Sequence, residues 1–232
     1  MKWSCMAAAF AAAAVSVSSN ADVVAYWNFN GLLPNPNTPH GIGADQGAGM
    51  ILADGTYGSS YWTSSATNPQ LTSFAGFTNN AIGGAAAGSA LGLANSASSV
   101  AGSANGFSIS VKVDLTNFES VSLSYGSRAS GTGFGFATHT WSYSTDGVNF
   151  TNLTSYTGMN ASSVQVKNLG AVAALDHQAT AIFRLTVDGA TAPNGHNRID
   201  NVVVEGTYVA VPAPGAAALV GLAGLMTRRR RD

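Results

Sequence analysis

Apolar and polar residues alternate with a period of two through much of the second half of the chain. Phe107, Ile109, Val111 and Val113 are separated by Ser108, Ser110 and Lys112, and beyond a turn near Asn117, Val121, Leu123 and Tyr125 alternate with Ser122 and Ser124. Successive side chains of a strand point to opposite faces, so the two runs predict neighbouring half-buried strands. Trp141-Ser142-Tyr143-Ser144 runs through Asp146-Gly147 into Val148-Asn149-Phe150, and an Asp-Gly pair between such runs predicts a hairpin. Further strands are expected at 164–167, 181–187 and 198–208. In the first half, Val23 to Phe29 reads as a strand with Ala25, Trp27 and Phe29 on one face, and short strands are expected at 50–52 and 61–63. Residues 32–49 hold prolines and glycines among Asn and Thr and read as a long loop, while 81–103, rich in Gly, Ala and Ser, predicts no element. Helical periodicity is missing throughout, so residues 22–210 predict one all-β domain, an antiparallel β-sandwich of seven or more strands.

Both ends of the chain break this pattern. Lys2, an apolar stretch from Met6 to Val17 and Ser19-Asn20-Ala21 have the layout of a secretory signal peptide cleaved after Ala21. The one cysteine, Cys5, lies within it, so the mature chain is expected to carry no thiol, disulfide or cysteine metal site. At the other end, Val211, Pro212, Ala213 and Pro214 halt the last strand, because proline lacks the N–H a ladder needs. The uncharged run from Gly215 to Met226 that follows predicts a short apolar membrane helix, and Arg228, Arg229, Arg230 and Arg231 form its cytoplasmic flank. A helix of this length covers about 21 Å, short of the roughly 30 Å hydrocarbon core, which suits a transient membrane stop better than a permanent anchor.

Proline motif, short helix and arginine cluster together resemble the PEP-CTERM sorting signal, although the family's usual glutamate between the prolines is Ala213 here. The resemblance implies an exosortase-type processing enzyme as partner and a place in the cell envelope, at the surface or in extracellular matrix. A second resemblance rests on Ser144 to Phe150 and Arg198 to Val204, which look like the penultimate hairpin and last strand of galactose-binding-like jelly rolls. Many carbohydrate-binding modules belong to that group. In jelly rolls with such a last strand, the aspartate matching Asp200 helps hold a structural calcium near the first strand. Here Asn28, Asn30 and the carbonyls beside Gly31 would supply further hard oxygens. Period-two counting puts Asp200 on the apolar face with Val202 and Val204, where a carboxylate requires hydrogen bonds, a cationic partner such as Arg198, or a metal.

Composition narrows the function classes. The only basic residues in 22–210 are Lys112, Arg128, Lys167, Arg184 and Arg198; against ten acids they give the domain a charge of about −5, so a basic face for nucleic acid is not expected. Charged residues make up 9% of the chain, against about 25% in ordinary globular proteins. Ser, Thr, Asn and Gly replace them. His40, His139, His177 and His196 are scattered singly and read as loop or surface residues, and neither a nucleophile elbow nor a zinc-protease motif occurs. Paired acids such as Asp188 and Asp200 are what glycoside hydrolysis would use, since it needs two facing carboxylates. Trp62 with its neighbour Tyr61 is the expected exposed aromatic site for a sugar. The sequence thus reads as an exported, surface-sorted, non-catalytic structural protein, with a displayed carbohydrate-binding module as the alternative and a hydrolase as a distant third.

Overall fold

The computed structural model describes residues 21–32, 41–53, 57, 62, 70–94 and 104–209. The expected signal peptide, Tyr61, the proline motif Val211 to Pro214, the membrane helix and Arg228 to Arg231 lie outside these residues. Among the described residues no helix is long and apolar enough to cross a membrane.

The described residues form thirteen strands and one 3-10 turn at Ala173–Leu175, and every strand pairing among them is antiparallel. The first sheet contains β1 (Asp22–Trp27), β3 (Gln46–Gly47), β5 (Leu71–Ala75), β6 (Ser89–Ala94), β8 (Phe118–Ala129), β11 (Gln165–Asn168) and β13 (His196–Tyr208). The second runs β10-β9-β12-β7-β4-β2, with β2 (Gly41–Gly43), β4 (Gly49–Leu52), β7 (Ser108–Val113), β9 (Thr138–Ser144), β10 (Thr151–Thr157) and β12 (Ala181–Asp188). Trp27, Leu91, Leu123, Tyr125 and Val204 from the first sheet share one buried core with Ile51, Val111, Trp141, Phe183 and Leu185 from the second. This is an all-β, two-sheet arrangement consistent with a β-sandwich.

The Asp-Gly hairpin forms between β9 and β10. Asp146 accepts the N–H groups of Val148 and Asn149, and Gly147 takes φ +76°, which a side chain would resist. One expected pairing does not form. β7 and β8 are consecutive but lie in different sheets, so their apolar faces meet across the core instead of side by side.

Candidate functional site

The strand that organises the site is β13. Along one side it pairs with β8; along the other it pairs first with β6, over His196–Ile199, and then with β1, over Val202–Gly206. Asp200 and Asn201 fall where one neighbour ends and the next begins. Asn201 has φ +51° and the register against β8 slips between Asp200 and Val203, the mark of a β-bulge. An extra residue resets the alternation: Ile199, Val202 and Val204 enter the core, while Asp200 and Asn201 turn to the outer face. The expectation that Asp200 points inward with Val202 and Val204 is therefore corrected. Simple counting cannot foresee a bulge.

The segment from Gly76 to Gly88 closes over this outer face. Phe77 N–H donates to Asp200 Oδ2 at 2.8 Å and Asn201 N–H to Asp200 Oδ1 at 2.8 Å. Asn201 Nδ2 donates to the carbonyls of Phe77 and Asn79, its Oδ1 accepts Tyr26 Oη–H at 2.6 Å, and Asn80 Nδ2 donates back to the Asn201 carbonyl. These bonds replace the missing strand partners at the junction, as buried polar groups require. Burial pushes the Asp200 carboxyl up to about 7, with the two amides opposing the shift. Arg198 is not its partner; Arg198 Nη1 donates to the Ala75 carbonyl.

Two of the expected calcium ligands, Asn28 and Asn30, make hydrogen bonds to backbone groups. Asn28 Oδ1 accepts Asn30 N–H in a local turn. Asn30 Oδ1 accepts Ser89 N–H and Asn30 Nδ2 donates to the Ala86 carbonyl, so this side chain straps residues 86–89. The oxygens that do gather near Asp200 belong to the backbone. A Cβ on Gly76 would collide with the Ala87 carbonyl and would lie 2.5 Å from Asp200 Oδ2 and 2.7 Å from the Ser89 carbonyl. One carboxylate and two carbonyls thus lie close around Gly76, and they are hard oxygens of the kind Ca²⁺ takes. Among the described residues no cluster of three His, Cys, Asp or Glu side chains joins them.

Next to the flap, β13 presents His196 and Arg198 on the same outer face. Arg198 stands directly opposite Gly92 on β6 and opposite Arg128 on β8. Phe74 of β5 lies across Gly92, where any Cβ would meet its ring at 2.5 Å, and stacks on the His196 imidazole at 3.9 Å with 7° between the planes. The Arg198 guanidinium is 5.2 Å from the Phe74 ring centre. Burial, then the charge of Arg198, lowers His196 to about 4, so this imidazole is neutral near pH 7 and acts as an apolar plate. Phe74, His196, Arg198 and Arg128 are each half-buried. Alternation and composition alone do not single out Phe74 or pair Arg128 with Arg198. The signal was present in the Leu71-Thr72-Ser73-Phe74-Ala75 run, a strand-like stretch, and in the i, i+2 spacing of His196, Arg198 and Asp200, which puts all three on one face.

Other expected site residues are placed differently in the fold. Trp62 is buried, its Nε1–H donating to the Ser108 carbonyl at 2.8 Å and its ring set edge-on to Phe107 and Phe136. It is a core tryptophan, not an exposed sugar plate, because a strand carbonyl satisfies its one polar atom. His139 is likewise buried, on β9, between Tyr125 and Asn197. Asp188 ends β12 in the second sheet while Asp200 faces out of the first, so the two carboxylates do not face each other across a substrate site.

No family model and no curated protein matches the chain. Among solved structures it is similar to the K3 cleaved adhesin domain of Lys-gingipain from Porphyromonas gingivalis, at 14% identity and a TM-score of 0.47, covering 80% of this chain and 99% of that one. It is similar to the CBM22-1 xylan-binding domain of Xyn10C from Paenibacillus barcinonensis, at 12% identity and a TM-score of 0.47, covering 84% and 100%. A family 16 carbohydrate-binding module shares 14% identity at a TM-score of 0.34, covering 58% and 84%. At such scores neither ligand nor site follows.

Proposed function

We propose that residues 22–210 form an exported, non-catalytic domain that binds polysaccharide through the outer face of its first sheet. The observation that carries this reading is the Phe74–His196 stack flanked by Arg198 and Arg128 on a β-surface. A sugar ring offers an apolar face of C–H groups and a rim of oxygens. An aromatic plate meets the first, and guanidinium N–H groups donate to the second. The low-charge, hydroxyl-rich composition suits work outside the cell among such polymers.

Export and sorting complete the proposal. The signal peptide supports secretion, and the tail from Val211 to Asp232 supports recognition by an exosortase-type enzyme after a transient stop in the membrane, leaving the domain at the surface or in matrix. Calcium is proposed as a structural ion, held by Asp200 with the carbonyls of Ala87 and Ser89, where it would offset the buried negative charge.

Affinity electrophoresis of the chain through gels containing single polysaccharides tests the binding reading. Retardation by at least one polymer, without release of reducing sugar, is the expected result. Unchanged mobility in every gel would return the protein to the purely structural reading.

A further inference from the structure

Two of the five basic residues of the domain, Arg128 and Arg198, stand directly opposite each other across β8 and β13. Like charges in cross-strand register repel, and a fold with ten acids available would ordinarily place one beside them. Among the described residues neither arginine is in an ion pair, and the single salt bridge there joins His177 and Glu119. The Nε atoms of both are buried without a hydrogen-bond partner. Of the ten N–H donors the two guanidinium groups carry, only Arg198 Nη1 is hydrogen-bonded among the described residues, to the Ala75 carbonyl. The remaining arginine of the domain is differently placed: Arg184 sits 3.5 Å from the Phe150 ring centre and donates to the Tyr57 carbonyl.

We propose that Arg128 and Arg198 form a subsite for a carboxylate carried on a sugar, so that the polymer bound is a uronate-containing, acidic polysaccharide. This rests on the polysaccharide-binding reading above and narrows it. A carboxylate fits the pair because it is planar and accepts two parallel N–H bonds from a guanidinium fork, which a neutral hydroxyl cannot do. It also removes the like-charge repulsion that the bare pair bears. Phe74 and His196, beside Arg198, supply the stacking plate on which the neighbouring sugar face rests. The site is therefore one apolar plate and one anion clamp, side by side on an open sheet face. A sugar sulfate would satisfy the charge but not the planar geometry.

The test compares retardation of the full chain by polygalacturonate, by a sulfated galactan and by neutral dextran. Polygalacturonate should bind tightest, and Arg128→Ala and Arg198→Ala should each weaken it by at least about tenfold, the loss of a charge-assisted fork, and by more than they weaken any binding to dextran. Its affinity should also fall between about 50 mM and about 500 mM salt. As a check independent of polymer, sodium galacturonate should raise the melting temperature of the wild type and not of Arg128→Gln/Arg198→Gln, which keeps more of the side-chain stem should the alanine variants fail to fold. Equal retardation by dextran and polygalacturonate, or arginine variants with undiminished polygalacturonate binding, would overturn the carboxylate subsite while the general reading stands. Preference for the sulfated polymer would assign the pair to sulfate and overturn it too. If no polymer is retained, both readings fall.

Discussion

Asn197 and His139 meet inside the sandwich, with Asn197 Nδ2 2.9 Å from His139 Nε2. The asparagine amide can only donate there, so Nε2 accepts, and Nδ1 carries the proton that faces Tyr125 Oη at 3.0 Å. Burial holds this imidazole down at about 3 and pushes the Tyr125 phenol up. The same asparagine accepts Phe136 N–H at 2.7 Å and reaches the carbonyls of Phe136 and Met159. A single side chain thus ties β13, β9 and the loops around Phe136 and Met159 together.

Asn197→Ala should be among the most damaging substitutions in the domain. It strands the Phe136 N–H and the His139 ring nitrogen at once, and each buried unsatisfied group costs about 1–3 kcal/mol. Urea unfolding should show a loss of more than about 2 kcal/mol. Asn197→Asp should be no better, since it replaces the donor to His139 with a buried charge. A loss within about 0.5 kcal/mol would show the network to be dispensable.

Stability against pH, measured with chelator present, should expose opposing protons. His139 and His196, held near 3 and 4 against an ordinary 6.5, take up protons in the unfolded chain that the fold refuses, so stability falls as pH drops from about 6.5. Asp200, raised to about 7 from 3.8, takes up its proton in the fold first, so it adds stability as pH drops from about 7 to about 4. Between about pH 6 and 4 the wild type should lose about 1.4 kcal/mol per unit, the balance of two groups against one. Asp200→Asn should roughly double that slope, and His196→Phe should flatten it. Identical slopes in all three proteins would show that these groups do not set the profile.

How much of this was legible in the sequence follows from what alternation can carry. Ile109, Val111 and Val113, or Leu185 and Val187, mark strands because their neighbours are polar or exposed. Alternation says nothing of which sheet a strand joins, and β7 and β8 part company at the turn where Thr116 N–H and Oγ1 bond Asp114 Oδ1. β6 was invisible for another reason. Its Ser-Ala-Leu-Gly-Leu-Ala run reads as loop composition, yet Gly92 is small because Phe74 lies across it, so the residue encodes packing from another strand. Asp200 could be singled out as a costly carboxylate. Its surroundings could not, because the bulge and the covering flap are tertiary.

The flap itself can be tested at two glycines. A Cβ on Gly126 would press into the Phe77 ring, and one on Gly76 would strike two backbone carbonyls and the Asp200 carboxylate. A ring can shift and backbone cannot, so Gly76→Ala should cost more than Gly126→Ala, which overpacking places at about 1–3 kcal/mol. Limited proteolysis should cut the Gly76–Gly88 segment faster in both variants. Equal resistance to protease in wild type and Gly76→Ala would mean that the flap is not held against β13.

Backbone amides compensate the Asp200 carboxylate only in part. Each of its oxygens accepts one backbone N–H, which leaves lone pairs unused on a carboxylate sealed from water, and the raised value near 7 shows that two amides do not offset its burial. At neutral pH the residue is therefore stabilised further either by a proton or by a cation, and the two differ in a measurable way. A proton is available at low pH whatever the metal content, whereas Ca²⁺ binds the ionised form and competes with the proton. With calcium bound, the carboxyl should titrate well below 7 and the stabilising effect of acid should vanish. At pH 8, where the free acid is ionised, added Ca²⁺ should raise the melting temperature and chelator should reverse it; at about pH 5 the effect should be small, since the proton already neutralises the group. Asp200→Asn should abolish the response at pH 8, while Asn28→Ala and Asn30→Ala should leave it intact, because those amides are engaged with Asn30 N–H and with Ser89 N–H and the Ala86 carbonyl. A melting temperature indifferent to Ca²⁺ at pH 8 would rule out the ion and leave the proton as the compensating charge. A response that survives in Asp200→Asn would place the ion elsewhere.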